Sequence, residues 1–344
     1  MTARTLAAAF GSASFSAEQA KRAGVETHRL KTAARAGVLR RVRRGTYRVA
    51  AAPEGDDQPA VAGLTDAQRA SVEDCVGQLR GAEVQVAIGG VTAAAVWELP
   101  LWGVGFPAVP VLWVPRSQLV RRGIQAGVRL VPCDLDPTRV VWGPGGLPIT
   151  DPILSAIHVA ARPGFSLAAR LVVLNGGLRR QLEWSRAGMT PLDSHTLADW
   201  TSDPGCRERL LAEGRDALSK ADIRVAGRVA QALDVADSRL ETALESISWA
   251  QFHRAGVELP VPQARVRGAS GTLWRADFLF GTRVIGECDG AVKYRAGYTP
   301  WEEKRRQSDL EAAGFIVVRW TWEEIVYRPH TVLARIALAL ERAA

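Results

Sequence analysis

The clearest pattern of apolar and polar positions lies near the C-terminal end of the chain. Trp274-Arg275-Ala276-Asp277-Phe278-Leu279-Phe280 is followed by Gly281-Thr282-Arg283 and then Val284-Ile285-Gly286-Glu287-Cys288-Asp289-Gly290. Two β-prone runs around a short loop containing Gly predict a hairpin. Before it, residues 239–256 predict an amphipathic helix, and Pro260 and Pro262 lead into a first strand at 263–267. After it, Thr299-Pro300-Trp301-Glu302 supplies an N-cap, a first-turn proline and a capping acid. That helix is predicted to run to Ala313 and stop at Gly314. A buried strand at 315–320 and helices from Thr321 and Thr331 complete the order helix, three strands, helix, strand, helix.

At the other end, Ser16 and Gln19 form a capping box for a helix to about residue 23, and Gly24 turns the chain. A second helix is predicted over 27–36, ending at Gly37. Leu30, Ala33 and Ala34 share one side of it; His28, Lys31, Thr32 and Arg35 lie largely on the other. Residues 38–43 and 46–49 then form a small hairpin turning at Arg44-Gly45. Helix, turn, helix and basic hairpin describe a winged helix-turn-helix. The second helix is expected in the major groove, with wing residues Arg40, Arg41, Arg43 and Arg44 against phosphates. A solvated basic helical hairpin is the plainer alternative.

Between the two ends, residues 51–63 carry Pro53, Gly55, Asp56, Asp57 and Pro59 and predict a linker. Helices are expected at 65–79, around 92–97, at 150–161 and through most of 166–236, with strands at 109–114 and 128–132. The fold class is therefore α+β and multidomain. A winged helix occupies 1–52, a linker 53–63, a mixed α/β region 64–236 and an α/β domain 237–344.

Charge sharpens this picture because it is local. The formal charge is +8, yet residues 21–48 hold ten lysines and arginines against a single acid, Glu26. Such a segment seeks an anionic partner. Cys75, Cys133, Cys206 and Cys288 form no Cys-x-x-Cys pair, which argues against a zinc site or a disulfide framework. A reducing cytoplasm suits them, residues 1–14 lack the apolar core of a signal peptide, and no run is long enough to span a membrane.

The hairpin carries the candidate chemistry. Alternation puts Glu287 and Asp289 on one face and Cys288 on the other. If residues 281–283 form the loop, Asp277 lies opposite Glu287. Buried like charges persist only when a cation or proton compensates them. Three carboxylates suggest a hard divalent cation such as Mg²⁺, and Lys293 could add positive charge for a phosphate transition state. A surface hairpin with solvated acids is the alternative.

Asp277, Glu287-Cys288-Asp289-Gly290 with Lys293-Tyr294, Arg306, Leu310, Gly314 and Val317-Val318-Arg319 together resemble the restriction-endonuclease-like fold. The nearest branch is that related to very-short-patch repair endonucleases, and the resemblance covers 237–344. It implies a metal-dependent nuclease in which Asp277 and Glu287 hold Mg²⁺ or Mn²⁺, with Glu245 contributed by the preceding helix. Asp289 and Arg306 join the candidate set; on the helix after the hairpin, Lys304, Arg305 and Arg306 are also expected to face a phosphate backbone, with a solvated basic stripe as the alternative. The usual motif is Glu-x-Lys, whereas this chain has Glu287-Cys288-Asp289, so Lys293 must replace that lysine. Residues Phe15-Ser16, Ala20, Gly24-Val25, Leu30, Gly37-Val38-Leu39, Arg43 and Gly45-Thr46-Tyr47 resemble the winged helix of AbiEi-type antitoxins. This implies binding to double-stranded DNA, often repression of the protein's own operon, and possible pairing with a cognate toxin or defence-system protein. The expected function is a DNA endonuclease carrying a DNA-reading domain. The alternative is a non-enzymatic regulator built on a degenerate nuclease fold, and an RNA-directed nuclease is a third option.

Overall fold

The computed structural model describes residues 14–22, 25, 30, 39–43, 46–49, 64–105, 107–118, 123–125, 127–188, 190, 192–221, 223, 225–289 and 300–343. The chain divides into two units, residues 1–57 and 58–344.

In the first unit, β1 (Ser14–Ser16), α1 (Ala17–Arg22), β2 (Leu39–Arg43) and β3 (Thr46–Val49) are described. The strands form an antiparallel sheet in the order β1-β3-β2. The capping box is present: the Ser16 N–H donates to Gln19 Oε1 at 2.7 Å and the Gln19 N–H to Ser16 Oγ at 3.1 Å. Phe15, Ala20, Val25, Leu30 and Tyr47 are buried, so this short segment has its own apolar centre. Leu30 is helical, as the second predicted helix requires. His28, Lys31, Thr32, Arg35 and Arg44 lie outside the described residues, as do the linker residues 53–63. Arg40, Arg41 and Arg43 are placed on β2, paired with Arg48, Tyr47 and Thr46, and the register shifts between Arg41 and Arg43.

The second unit is mixed α/β. Its first part comprises α2 (Asp66–Gly81), β4 (Ala87–Ile88), α3 (Gly90–Val96), β5 (Val111–Val114), β6 (Gly123–Gln125), β7 (Val128–Pro132), β8 (Val140–Trp142) and β9 (Pro148–Thr150). These strands form one mixed sheet in the order β6-β7-β5-β4-β9-β8. Helices α4 (Pro152–Ala160), α5 (Leu167–Ala187), α6 (Ser194–Ser202), α7 (Pro204–Lys220) and α8 (Ala226–Val235) follow, in line with the helical stretch expected there. Strands β4, β6, β8 and β9 were not foreseen. Runs of two or three residues give no readable period.

The last part runs α9 (Ala243–Arg254), β10 (Val261–Arg267), β11 (Leu273–Phe280), β12 (Val284–Asp289), α10 (Pro300–Ala312), β13 (Ile316–Thr321), α11 (Trp322–Tyr327) and α12 (Pro329–Ala343). This follows the predicted order of elements, with the closing pair of helices resolved as α11 and α12. The sheet order is β10-β11-β12-β13, with β12 parallel to β13 and the other pairs antiparallel. Several boundaries differ from expectation: β13 covers Ile316–Thr321 rather than 315–320, and α12 starts at Pro329 rather than at Thr331. Helix α9 begins at Ala243 rather than 239, because Thr242 caps it by accepting the Glu245 N–H. Strand β10 starts at Val261 and includes Pro262, which an edge strand tolerates because one side of its ladder is unpaired.

One apolar core joins both parts. Leu112 and Ile149 of the six-stranded sheet belong to it, as do Leu171 and Leu174 of α5, Ile247 and Phe252 of α9, and Phe278, Val284 and Trp320 of the four-stranded sheet. Phe252 meets the rings of Phe278, Phe280 and Trp320 edge-on at centroid distances of 5.4, 5.1 and 5.7 Å. Gly286 makes this packing possible: a Cβ there would sit 2.6 Å from Trp320 and 2.9 Å from Phe280. The opposite face of the sheet holds a smaller cluster of Val266, Ala276, Ile285 and Leu310 beneath α10.

Candidate functional site

The hairpin register places the acids where the sequence suggested. Phe280 pairs with Val284 and Phe278 with Gly286, so residues 281–283 are the loop and Asp277 follows in line with Glu287. The described ladder stops at Phe278. Beyond it, Asp277 Oδ2 accepts the Cys288 N–H at 2.7 Å, a side chain taking the place of a strand partner.

An irregularity aims Asp277. Strict alternation would place Ala276 and Phe278 on the same face. Instead Ala276 packs in the small cluster under α10, while Phe278 enters the main core beside α9. The facing switches at Asp277. Across the ladder, between the pairs Pro262–Phe278 and Ala264–Ala276, stands Gln263, whose φ of 52° lies in the left-handed region. Such a conformation is strained for a residue with a side chain, and irregularities of this kind re-aim neighbouring groups.

Gln263 is also what ties the strand to α9. Its Nε2 donates to Glu245 Oε2 at 2.8 Å. Glu245 receives the Glu241 N–H on Oε2 at 2.9 Å and the Thr242 hydroxyl on Oε1 at 2.8 Å. The carboxyl is buried at 3% exposure, not solvated as an ordinary helix-terminal glutamate would be. Loss of hydration raises its pKa to about 8, aided by the charges of Asp277 and Glu241 and opposed by the hydrogen bonds from Glu241 and Thr242. Near neutral pH this carboxyl holds its proton for much of the time.

Glu287 is compensated differently. It is 3% exposed, and Arg306 Nη2 donates to its Oε1 at 2.6 Å. Arg306 itself is 7% exposed and also donates to the Arg275 carbonyl at 3.0 Å. Burial disfavours the guanidinium charge, but Glu287, Glu303 and Asp277 outweigh that cost and hold its pKa above the usual arginine value. This corrects one expectation: Arg306 does not face outward with Lys304 and Arg305 but turns into the sheet, four residues before the buried Leu310. Asp289 is half-buried, with Arg319 Nη1 3.9 Å from its Oδ1, and Arg319 also contacts Glu303. At the rim, Arg275 grips both oxygens of Glu241 at 3.1 and 3.0 Å.

Glu245, Asp277 and Glu287 thus come together, joined by Gln263 and Arg306, while Lys293 lies outside the described residues. Among the described residues, no group of three or more His, Cys, Asp or Glu side chains is disposed to hold a metal ion. Glu287 is bound to Arg306, and Asp277 spends one oxygen on a backbone N–H. Gln263 is the residue that sequence reasoning missed. Its only signal was a polar residue between prolines and an apolar strand.

Similarity to known proteins bears on the other end of the chain. Residues 7–50 match the model of a family described as transcriptional regulator, AbiEi antitoxin. That stretch is similar to an antitoxin-type regulator domain. It contains β1, α1, β2, β3 and the basic segment. Two uncharacterised proteins of Mycobacterium tuberculosis, MT2308 from strain CDC 1551 and Rv2248 from strain H37Rv, are each 27% identical over 183 residues. The match covers 52% of this chain and 67% of each relative. The crystal structure of the RV2827C protein from Mycobacterium tuberculosis aligns over 74% of this chain and 83% of its own, at 14% identity and a TM-score of 0.27. Among the described residues, no helix is long and apolar enough to cross a membrane.

Proposed function

We propose that this chain is a DNA-binding transcriptional regulator of the AbiEi antitoxin type. Its second unit carries a nuclease-like carboxylate cluster that serves as scaffold rather than as an active site. The observation that carries the reading is the match of residues 7–50 to that regulator family, which coincides with the local excess of positive charge. In this reading the segment is a winged helix. The helix bearing His28, Lys31, Thr32 and Arg35 enters the major groove of duplex DNA, and Arg40, Arg41, Arg43 and Arg44 contact phosphates. A toxin-type partner is the corresponding protein ligand.

The test is salt-dependent binding of the full chain to duplex DNA, including DNA from its own upstream region, followed by fluorescence anisotropy. Phosphate contacts release counterions, so the logarithm of the binding constant falls linearly with the logarithm of salt concentration. Replacing Arg40, Arg41 and Arg43 by Ala should weaken binding at 0.1 M salt by at least tenfold and flatten that slope. Equal binding by wild type and variant would remove the wing from the interface.

A metal-dependent DNA endonuclease is the second reading, and one observation favours it. Glu245, Asp277 and Glu287 meet from a helix and two adjacent strands, through a strained backbone at Gln263. In that case Arg306 must release Glu287 before a divalent cation binds. Asp277 and Glu287 would then hold the ion, and the bound metal would supply an activated water for diester hydrolysis.

A further inference from the structure

A second buried charge, far from the carboxylates in sequence, has no acid to answer it. Arg170 lies on α5 and is 3% exposed. Its Nη1 donates to the Ala160 carbonyl, and its Nη2 is buried without a hydrogen-bond partner. Among the described residues, neither Arg170 nor Arg228 of α8 forms an ion pair. The two are close enough to repel: burial and the Arg228 charge together push the Arg170 pKa below its usual value. An isolated buried guanidinium is costly, so it calls for an anion.

The space for one is present. Arg170 and Arg228 line a cavity of about 530 Å³ together with Gln231, Asp234, His253, Phe165 and Leu167. Asp234 is the only acid in that wall, and it is paired with Arg215 at 3.1 Å. Phe165 and Leu167 stand at the N-terminal end of α5, where the helix dipole adds positive potential. We propose that this cavity binds a phosphate group, either free or carried by a small molecule. Guanidinium forks match the oxygens of phosphate in pairs, and His253 and Gln231 offer further donors. The cavity falls in the size range of small-molecule sites, roughly 300–1,000 Å³. Phe165 and Leu167 form an apolar wall for an attached organic moiety.

The experiment is thermal unfolding of the full chain in increasing inorganic phosphate, and separately in adenosine monophosphate, against sodium chloride at matched ionic strength. A ligand that binds only the folded state raises the midpoint with its concentration. Wild type should show that rise. A rise with adenosine monophosphate at lower concentration than with phosphate assigns a phosphorylated small molecule, and equal responses assign free phosphate. Arg228→Ala, at an exposed position, relieves the repulsion on Arg170 and should unfold no lower than wild type in chloride, yet need at least tenfold more of either ligand for half the rise. Arg170→Met should lose the response, and if that variant does not fold, Arg228→Ala decides alone. No rise beyond chloride in wild type, or an unchanged response in Arg228→Ala, would overturn the assignment.

Discussion

The two sites solve the problem of buried charge in opposite ways. In the four-stranded sheet, Glu287 has Arg306 at 2.6 Å, Asp277 takes a backbone N–H, and Glu245 holds a proton because its pKa is pushed up to about 8. Every charge there is met from within the chain or by a proton. Around Arg170, a buried guanidinium faces a second arginine, and the cavity has a single acid already engaged. Compensation inside the chain stiffens a site, whereas charge left for a ligand makes a binding site. A family motif drew attention to the first. The second is marked only by its unmatched charge.

The largest contrast should appear when each arginine is replaced by methionine, which keeps volume and removes charge. Arg306→Met strands Glu287 at 3% exposure and should cost about 3–5 kcal/mol in urea unfolding. Adding Glu287→Gln should recover much of that loss, because the unpaired charge disappears with it. Arg170→Met leaves no acid behind and forfeits a hydrogen bond to the Ala160 carbonyl, so it should stay within about 1 kcal/mol of wild type. Equal losses at the two positions would break the comparison.

Next in size is the pH dependence set by Glu245. Its folded pKa, about 8, lies above the ordinary glutamate value of 4.5, so the folded state binds the proton more tightly than the unfolded state. Stability from this group therefore falls as pH rises from about 4.5 to about 8 and is level above that. At ~1.4 kcal/mol per unit, the loss is roughly 2–5 kcal/mol. Glu245→Gln cannot titrate, so its unfolding free energy should change less between pH 5 and pH 8.5 than that of wild type. Parallel curves would place the proton elsewhere.

The smallest effect is expected at Gln263. Gln263→Gly relieves the left-handed backbone, worth about 1–2 kcal/mol, and loses the bond to Glu245, worth about as much. Net stability should move by less than about 1 kcal/mol. A large loss would show that the side chain, rather than the backbone kink, holds Asp277 in place.

How much of this was legible in the sequence depends on how local each signal is. The hairpin was readable because alternation and the Gly281 loop are adjacent in the chain, and they set the register that puts Asp277 in line with Glu287. The switch in facing at Asp277 was not readable, because it arises across the ladder at Gln263. Arg306 was misjudged as part of a basic surface run with Lys304 and Arg305. Its spacing of four from Leu310 marked the buried side of the helix, and that periodicity was the better guide. The short strands of the six-stranded sheet exist through their neighbours alone. Arg170 and Arg228 are 58 positions apart, and only the packing of α5 against α8 brings them together.

The most direct test combines binding and cleavage in one tube. Supercoiled plasmid is incubated with the full chain in Mg²⁺, in Mn²⁺ or in EDTA, alongside Asp277→Asn, and retention and nicking are scored together. The account predicts salt-sensitive retention in all three conditions, no nicking in any, and no difference between wild type and variant. Metal-dependent nicking by wild type that is absent in Asp277→Asn would contradict it, and would mean that Arg306 yields Glu287 to a metal ion.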